Sequence, residues 1–310
     1  VMYKDDIKKA RVYALVGAAV FVSNFLIGAL LLNIKNEPKN AFPVAAIQGN
    51  IGSSDKWADD SVYNSLSVYE KLTEEAVKES GAKLVVFPET VLICDLTYEN
   101  TLISRLKLLS KKLDAYIAVG AFYSDGGKTF NSMYIFTPDG EMLDKVYSKC
   151  HLVPFGEYLP MPSVMNALLP HLTEMNMFDD PLTAGDGPQI FKTELGNIGT
   201  LICFDSIYEQ LTLSTVRDGA ELMIIGTNDS WYKDSAAVYQ HVGHAVFRAI
   251  ESGRYVVRSA NTGVSSVITD KGKIVSLLGP LKTGYVTAKV NTYSHRTVYS
   301  YIGNLSLIHI

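Results

Sequence analysis

An uncharged apolar segment near the start of the chain constrains its fold more than any other feature. It covers residues 12–34 and reads VYALVGAAVFVSNFLIGALLLNI, without one charged side chain. About 20 apolar residues are enough to cross the hydrocarbon core of a bilayer as a helix. A soluble helix of this length would carry charge on its outer face. The segment therefore predicts one transmembrane helix, with a cleaved signal peptide as the alternative.

The charges that flank this segment predict its orientation. Four basic residues precede it and two follow it: Lys4, Lys8, Lys9 and Arg11 before, Lys35 and Lys39 after. The more basic flank of a transmembrane helix tends to stay in the cytoplasm. We therefore expect the rest of the chain to lie on the extracytoplasmic side of the membrane.

Charge and cysteine content limit the function classes open to the chain. The net charge is −4 over 310 residues, which gives none of the basic field that nucleic-acid binding requires. The three cysteines, Cys94, Cys150 and Cys203, form no CxxC pair, which argues against a disulfide framework and a structural zinc site. No nucleic-acid partner is expected, and there is room for one reactive cysteine.

Beyond residue 40, short apolar strands alternate with helical patterns. The predicted strands are 42–48, 84–87, 116–121, 199–202, 222–227 and 255–259, the predicted helices are 62–79, 102–113, 206–217 and 236–252, and two hairpins are predicted over 132–147 and 264–278. This alternation is typical of an α/β layered domain. The hairpins indicate mixed sheets, and the repeated order in the two halves suggests two sheets packed between helical layers.

Cys203 lies at the predicted junction between a strand and a helix. Side chains at such a junction project from the carboxyl edge of the sheet, where sites form in α/β folds. The positive end of the following helix would favour a thiolate. The alternative is a buried, inert cysteine, which is common.

Two further charged residues follow predicted strands. Glu89 comes just after Pro88, which ends a buried strand, and a half-desolvated glutamate with a raised pKa can take a proton from a thiol. Lys149 closes the next hairpin and can stabilise the oxyanion of a tetrahedral intermediate. Glu157, eight positions later, can either orient Lys149 or cap the pocket. Solvated loop residues remain the alternative for Glu89 and Lys149.

The order Glu, Lys, Cys, each after a strand, resembles the nitrilase, or carbon–nitrogen hydrolase, superfamily. The PET segment corresponds to Glu89, the KxHL segment to Lys149 and the LICFD segment to Cys203. The resemblance implies a four-layer α-β-β-α sandwich, here with an N-terminal transmembrane helix, and a Glu-Lys-Cys catalytic set. It implies no metal and no organic cofactor.

Longer strings resemble one branch of that superfamily, the bacterial apolipoprotein N-acyltransferases. These strings are HLVPFGEYLP over 151–160, IQGNI over 47–51 followed by Trp57, TNDSWY over 227–232, and further matches at 240–241, 247–254 and 261–263. The resemblance implies supporting or substrate-binding roles for Trp57, Asn228, Trp231, Glu157 and Asp205.

The same resemblance implies a division of the chain and a larger whole. Residues 1–40 would form the transmembrane helix and its flanks, residues 41–295 the catalytic domain, and residues 296–310 a segment leading to a further membrane helix. The chain would then be part of a larger enzyme of the bacterial inner, or plasma, membrane.

The activity implied by the branch is acyl transfer in lipoprotein biosynthesis. An acyl chain would pass from a phospholipid to Cys203 as a thioester, and then to the N-terminal amine of a diacylglyceryl-cysteine lipoprotein. Two alternatives stay open: a membrane-tethered amidase- or nitrilase-like hydrolase, and an inactive binding module. The second gains weight because Phe204 and Asp205 stand where the branch usually has Tyr and Glu.

Overall fold

The structure, a computed structural model, describes residues 2–52, 61–161 and 181–304 and divides into two compact units. The first unit, Val1–Glu37, contains helix α1, Met2–Asn33. Within α1, Asp6–Asn33 is long and apolar enough to cross a membrane, a test that an N-terminal signal sequence also passes. The large apolar side chains of this helix, such as Phe21 and Phe25, are exposed. A helix therefore forms over the predicted transmembrane segment, and its apolar side chains are exposed over the residues whose burial is described.

The second unit, Pro38–Ile310, contains two mixed β-sheets. Sheet one has the strand order β13-β1-β2-β4-β5-β6, with β3 beside β4. Its strands are β1 (Asn40–Gln48), β2 (Leu84–Val86), β3 (Leu92–Asp95), β4 (Tyr116–Asp125), β5 (Lys128–Phe136), β6 (Tyr147–Ser148) and β13 (Gly284–Thr292). Strands β1, β2 and β4 are parallel, whereas β13 and β5 pair with them antiparallel.

Sheet two repeats this plan with the strand order β12-β11-β10-β9-β8-β7. Its strands are β7 (Ile190–Thr193), β8 (Gly196–Ile202), β9 (Leu222–Thr227), β10 (Val256–Ala260), β11 (Ser265–Ile268) and β12 (Ile274–Leu278). Strands β8, β9 and β10 are parallel, and the β11–β12 pair is antiparallel. The mixed character predicted from the hairpins is confirmed in both sheets.

Helices cover the outer faces of both sheets. Sheet one carries α2 (Ser61–Ser80) and α3 (Asn100–Leu113), and sheet two carries α4 (Glu209–Arg217) and α5 (Ala236–Ser252), with the short α6 (Val298–Ile302) against α4 and α5. Three hydrophobic clusters lie between the layers: one under α2 and α3, one between the sheets and one under α4 and α5. Three interfaces make four layers, so the predicted α-β-β-α sandwich is confirmed.

Alternation along the strands explains why both sheet faces are apolar. In β1, Ala45 and Ile47 face the helices, while Val44 and Ala46 face the other sheet. Successive strand side chains point to opposite faces, so a strand that is covered on both sides needs a continuous apolar run. The run from Phe42 to Ile47 meets that requirement.

One predicted helix differs from the structure, and one hairpin was not predicted. The predicted 132–147 hairpin is confirmed, since Met133 pairs with Tyr147 and Phe136 with Met142 around a turn over 137–141. The unpredicted hairpin forms on the other side of β5, which pairs with β4 along its whole length through a turn at Gly126 and Gly127. The predicted 206–217 helix begins instead at Glu209. Residues Cys203–Ile207 form a 3₁₀ turn, and Tyr208 is extended, which separates this turn from α4.

Candidate active site

Three strand ends bring Glu89, Lys149 and Cys203 into one buried cluster. Glu89 follows β2 and Lys149 follows β6, both in sheet one, whereas Cys203 follows β8 in sheet two. The Lys149 ammonium nitrogen lies 2.9 Å from Glu89 Oε1. The Cys203 thiol is close enough to both charged groups for their charges to act on it. The structure thus brings together the three residues that the sequence singled out.

The Glu89 carboxylate accepts hydrogen bonds from both sheets. On the side of sheet one, Asn131 Nδ2 donates to Oε1 at 2.7 Å, beside Lys149. From sheet two, the backbone amide of Asn228 donates to Oε2 at 2.9 Å. Burial would raise the pKa of Glu89, but the Lys149 charge and these donors hold it below its usual value. This corrects the expectation of a raised pKa: Glu89 is held as a carboxylate, the form that accepts a proton.

Lys149 lies between two carboxylates. Its ammonium donates to Glu157 Oε1 at 2.8 Å as well as to Glu89, and only 1% of its side chain is accessible. Burial would lower the pKa of this ammonium, but the two neighbouring carboxylates raise it well above its usual value. Burial and the Glu89 charge raise the pKa of Glu157. The Lys149 charge offsets only part of this increase. A permanent buried cation therefore lies beside the thiol.

Cys203 occupies a strained turn. Its backbone has φ of 49°, in the left-handed region that non-glycine residues rarely adopt. Burial, followed by the Glu89 charge, raises the pKa of the thiol, and Lys149 opposes this. The expected helix-stabilised thiolate is therefore not the resting form, because a 3₁₀ turn follows the cysteine and a carboxylate lies beside it. The thiol instead has a carboxylate, the proton-accepting form of Glu89, nearby.

Two glycines admit the backbone of the Glu89 segment. A Cβ on Gly120 in β4 would lie 2.3 Å from the carbonyl oxygen of Pro88. A Cβ on Gly226 in β9 would lie 3.2 Å from the amide nitrogen of Glu89 and 2.5 Å from Cε of Met133. The segment is therefore held between strands of both sheets. Its position requires that residues 120 and 226 be glycine, because a side chain at either position would collide with it or with Met133.

Asp205 connects the Cys203 turn to the Lys149 segment. Its carboxylate accepts from the backbone amides of His151 at 2.7 Å, Cys150 at 3.2 Å and Ile202 at 3.1 Å. The hydroxyl of Tyr147 donates to it at 2.7 Å. The shorter side chain thus reaches donors on both segments. Phe204, the other departure from the branch pattern, packs edge-on against the Tyr208 ring.

The remaining predicted site residues have different outcomes. Asn228 lies at the cluster, because its amide binds Glu89 and its Oδ1 accepts from Asn261 Nδ2 at 3.3 Å. Trp231 lies in the same loop, and 61% of its surface is exposed. Trp57 falls outside the described residues.

Several buried polar residues near the site were not assigned a role from the sequence. Asn131 sits in the middle of β5 and bridges Glu89 and Glu157. Asp229 and His241 form a pair with Nδ1 to Oδ1 at 2.8 Å, and Arg258 donates to the other Asp229 oxygen at 2.8 Å. For Asn131 and Arg258, the sequence did contain a signal of a role at the site: each is a polar residue within a buried stretch of strand.

Among the described residues, one group brings three metal-ligating side chains together. Atoms of Cys203, Asp229 and His241 all lie within 4.8 Å of one another. Both carboxylate oxygens of Asp229 already have partners, since Oδ1 binds the imidazole and Oδ2 binds Arg258. These contacts assign the three residues to an internal hydrogen-bond network.

The geometry suits acyl chemistry. A thiol with a carboxylate nearby has a base at hand, and the adjacent ammonium can balance negative charge on a substrate oxygen. Low accessibility around Lys149 and Glu89 strengthens these electrostatic interactions.

Comparisons with known proteins point to the same chemistry. The carbon–nitrogen hydrolase family matches residues 43–298. An apolipoprotein N-acyltransferase of Geobacter metallireducens is 34% identical over 268 residues, which cover 85% of this chain and 50% of the relative. Apolipoprotein N-acyltransferase 2 of Treponema denticola is 31% identical over 290 residues, covering 88% of this chain and 53% of the relative. The chain thus spans about half the length of these relatives.

Solved structures share the fold. An amidase mutant from Nesterenkonia sp. AN1, with acrylamide added to its active-site cysteine, superposes with a TM-score of 0.64 and 16% identity. The match covers 86% of this chain and 98% of the amidase. At this identity the likeness concerns the fold alone.

Proposed function

This chain belongs to the carbon–nitrogen hydrolase family, and from that premise we propose that it is the catalytic part of an N-acyltransferase that acts on lipoproteins at a bacterial membrane. The observation that carries the proposal is the buried Lys149 ammonium, 2.9 Å from Glu89 and 2.8 Å from Glu157, beside the Cys203 thiol. The similarity to apolipoprotein N-acyltransferases supports lipoproteins as the acceptors.

In the first half reaction, Glu89 takes the proton from the Cys203 thiol, and the sulfur attacks the ester carbonyl of a phospholipid. Lys149 stabilises the oxyanion of the tetrahedral intermediate. The carbon–oxygen bond to the glycerol then breaks, and Glu89 returns the proton to the leaving oxygen. A lysophospholipid leaves, and the acyl chain stays on Cys203 as a thioester.

In the second half reaction, the N-terminal amine of a diacylglyceryl-cysteine lipoprotein attacks the thioester. Glu89 accepts a proton from the attacking nitrogen while Lys149 again stabilises the oxyanion. The carbon–sulfur bond breaks, the sulfur regains a proton, and an amide-linked third acyl chain remains on the lipoprotein. Asp205 supports both steps by fixing the Cys203 turn against the Lys149 segment.

The apolar helix α1 gives this chemistry a location. Both substrates reside in a membrane, and a tethered domain meets them at a high effective concentration. The charge difference across the helix supports an extracytoplasmic catalytic domain. Trp57, Asn228 and Trp231 are proposed to contribute to substrate binding, and residues 296–310 to lead toward a further membrane segment.

The proposal is tested by incubating the chain in phospholipid micelles with a synthetic diacylglyceryl-cysteine peptide. We expect mass spectrometry to detect an acyl thioester on the peptide containing Cys203 and a third acyl chain on the acceptor. Cys203→Ala should lose both products. Cys94→Ala, which removes a thiol packed against the helix-covered side of sheet one, should keep both.

The same reactions separate transfer from hydrolysis. A thioester that yields free fatty acid, or ammonia release from small amides, without a third acyl chain would favour the tethered hydrolase. A labelled thioester that persists in Cys203→Ala would refute the assignment of Cys203 as the nucleophile. A wild-type chain without thioester or product would favour the inactive binding module.

A further inference from the structure

The Cys203 turn needs an external restraint, because its backbone lies in the left-handed region at φ 49°. Such conformations persist where the surroundings fix them. Two side chains contact the carbonyl oxygen of Cys203. Ser206 Oγ donates to it at 2.7 Å from within the turn, and His241 Nε2 lies 3.2 Å from it. His241 is the contact that comes from another element, helix α5.

The imidazole of His241 is itself fixed. Its Nδ1 lies 2.8 Å from Asp229 Oδ1, and Asp229 Oδ2 accepts from Arg258 Nη2 at 2.8 Å. Asp229 and Arg258 are fully buried, and 7% of the His241 side chain is accessible. A chain of buried polar contacts therefore runs from β10 through the β9 loop and α5 to the Cys203 turn.

Hydrogen-bond partners assign the protons on the ring. Burial would raise the pKa of Asp229, but Arg258 and His241 hold it below its usual value, so Oδ1 is an acceptor and Nδ1 donates. Nε2 faces two oxygens, the Cys203 carbonyl and Ser206 Oγ at 3.1 Å. Because the Ser206 hydroxyl is directed at that same carbonyl, a hydrogen on Nε2 would meet an oxygen acceptor at either contact.

We propose that His241 is a positioning residue, which holds the Cys203 turn in its reactive conformation by donating from Nε2 to the Cys203 carbonyl while Asp229 fixes Nδ1. The inference deepens the proposed function and rests on it, because its effect is exerted on acylation of Cys203. His241 acts through the backbone of the nucleophile, whereas Glu89 and Lys149 act on the reacting atoms.

The side chains that replace His241 can separate its two contacts. Gln carries an amide that reaches the position of Nε2, whereas the amide of Asn reaches only the position of Nδ1. Ala removes both. His244→Ala is the matched control, since it removes a partly exposed imidazole from the same helix.

The measurement is the pre-steady-state burst of p-nitrophenolate from p-nitrophenyl butyrate, which reports acylation of the thiol without a lipid or lipoprotein. We expect the acylation rate constant to fall about 10- to 100-fold in His241→Ala and His241→Asn, as misplacement of a reacting group by about 1 Å can cause. His241→Gln should recover most of the rate, and His244→Ala should match the wild type. A burst amplitude near one per chain shows that each variant is folded.

Equal rates for His241→Asn and His241→Gln, or a wild-type rate in His241→Ala, would overturn the inference. If a variant gives no burst amplitude, thermal unfolding distinguishes loss of fold from loss of positioning, and a folded His241→Gln without a burst also contradicts it. Failure of the proposed function has a different signature: the wild type gives the burst and the expected variant order, but no third acyl chain reaches the acceptor peptide.

Discussion

The carboxylate of Asp205 accepts a 2.7 Å hydrogen bond from the backbone amide of His151, 54 positions earlier in the chain. This bond joins the turn that carries Cys203 to the segment that carries Lys149. Cys203 and Lys149 therefore share one point of attachment, although their strands belong to different sheets. Asp205, like Glu89, links parts of the site that are distant in sequence.

Removal of the Asp205 carboxylate should destabilise the chain and loosen the site. Asp205→Ala leaves the Tyr147 hydroxyl and three backbone amides without their acceptor, so we expect a loss of about 3 kcal/mol or more in the free energy of unfolding. Tyr147→Phe removes one donor and should cost about 1 kcal/mol. Denaturant unfolding measures both values, and equal losses would show that the amides do not depend on Asp205.

The charge of Glu89 should raise the pKa of the Cys203 thiol in a measurable way. Burial and Glu89 raise this pKa, whereas Lys149 lowers it. Glu89→Gln removes the negative charge and leaves Lys149, so the pKa falls and more thiolate is present at a given pH below it. We expect faster iodoacetamide labelling of Cys203 at pH 8, yet acylation by phospholipid slowed about 100-fold or more because the base is lost.

Peptide-resolved mass spectrometry isolates Cys203 labelling from that of Cys94 and Cys150. Labelling of Cys94 provides an internal control, since burial is the main cause of its raised pKa, which is about 12. Slower labelling of Cys203 in Glu89→Gln would mean that the carboxylate promotes thiolate formation toward any electrophile. That outcome would reverse the assigned sign of the Glu89–Cys203 interaction.

The sequence predicts the positions of Glu89, Lys149 and Cys203 because each follows a strand that local pattern defines. Pro88 ends one apolar run, and Cys203 ends another, so these signals lie within a few residues of the site. The bounds of β9 and α5 follow from the same local periodicity. The repeated order of strands and helices in the two halves suggested two sheets between helical layers, and the family resemblance implied the four-layer sandwich.

Features set by long-range pairing were not predicted. Asn131 precedes the predicted 132–147 hairpin and lies in the part of β5 that extends it, where β5 pairs with the end of β4, and this pairing was not predicted. β13 lacks a continuous apolar run and is defined by its pairing with β1, far away in the chain. The lowered pKa of Glu89 depends on Lys149, 60 positions later, whereas burial alone predicts the opposite direction.

Lys149 should be the most costly member of the site to remove. Lys149→Met leaves two buried carboxylates without their cation, so we expect a loss of about 3–5 kcal/mol in the free energy of unfolding. The ion pair between Lys107 and Glu141 is exposed, and Lys107→Met should cost less than about 1 kcal/mol. In any folded fraction, labelling of Cys203 should become slower, because the pKa of its thiol rises without the ammonium. Similar losses for the two variants would mean that Glu89 and Glu157 become protonated at little cost.

Helix α1 should be dispensable for the fold of the second unit and required for efficient encounter with lipid. The unit Pro38–Ile310 contains the three layer-spanning clusters and the whole described site, so a chain of residues 38–310 should keep the unfolding midpoint and the ester burst. Without the apolar helix, it should no longer sediment with phospholipid vesicles, and transfer to the lipopeptide should fall by about tenfold or more as the tethered effective concentration is lost.

A fusion to an unrelated transmembrane helix is the matched control, because it restores the tether without the α1 sequence. Restored transfer in that fusion would assign α1 the role of an anchor. Vesicle binding retained by residues 38–310 would instead locate the lipid contact in the catalytic unit.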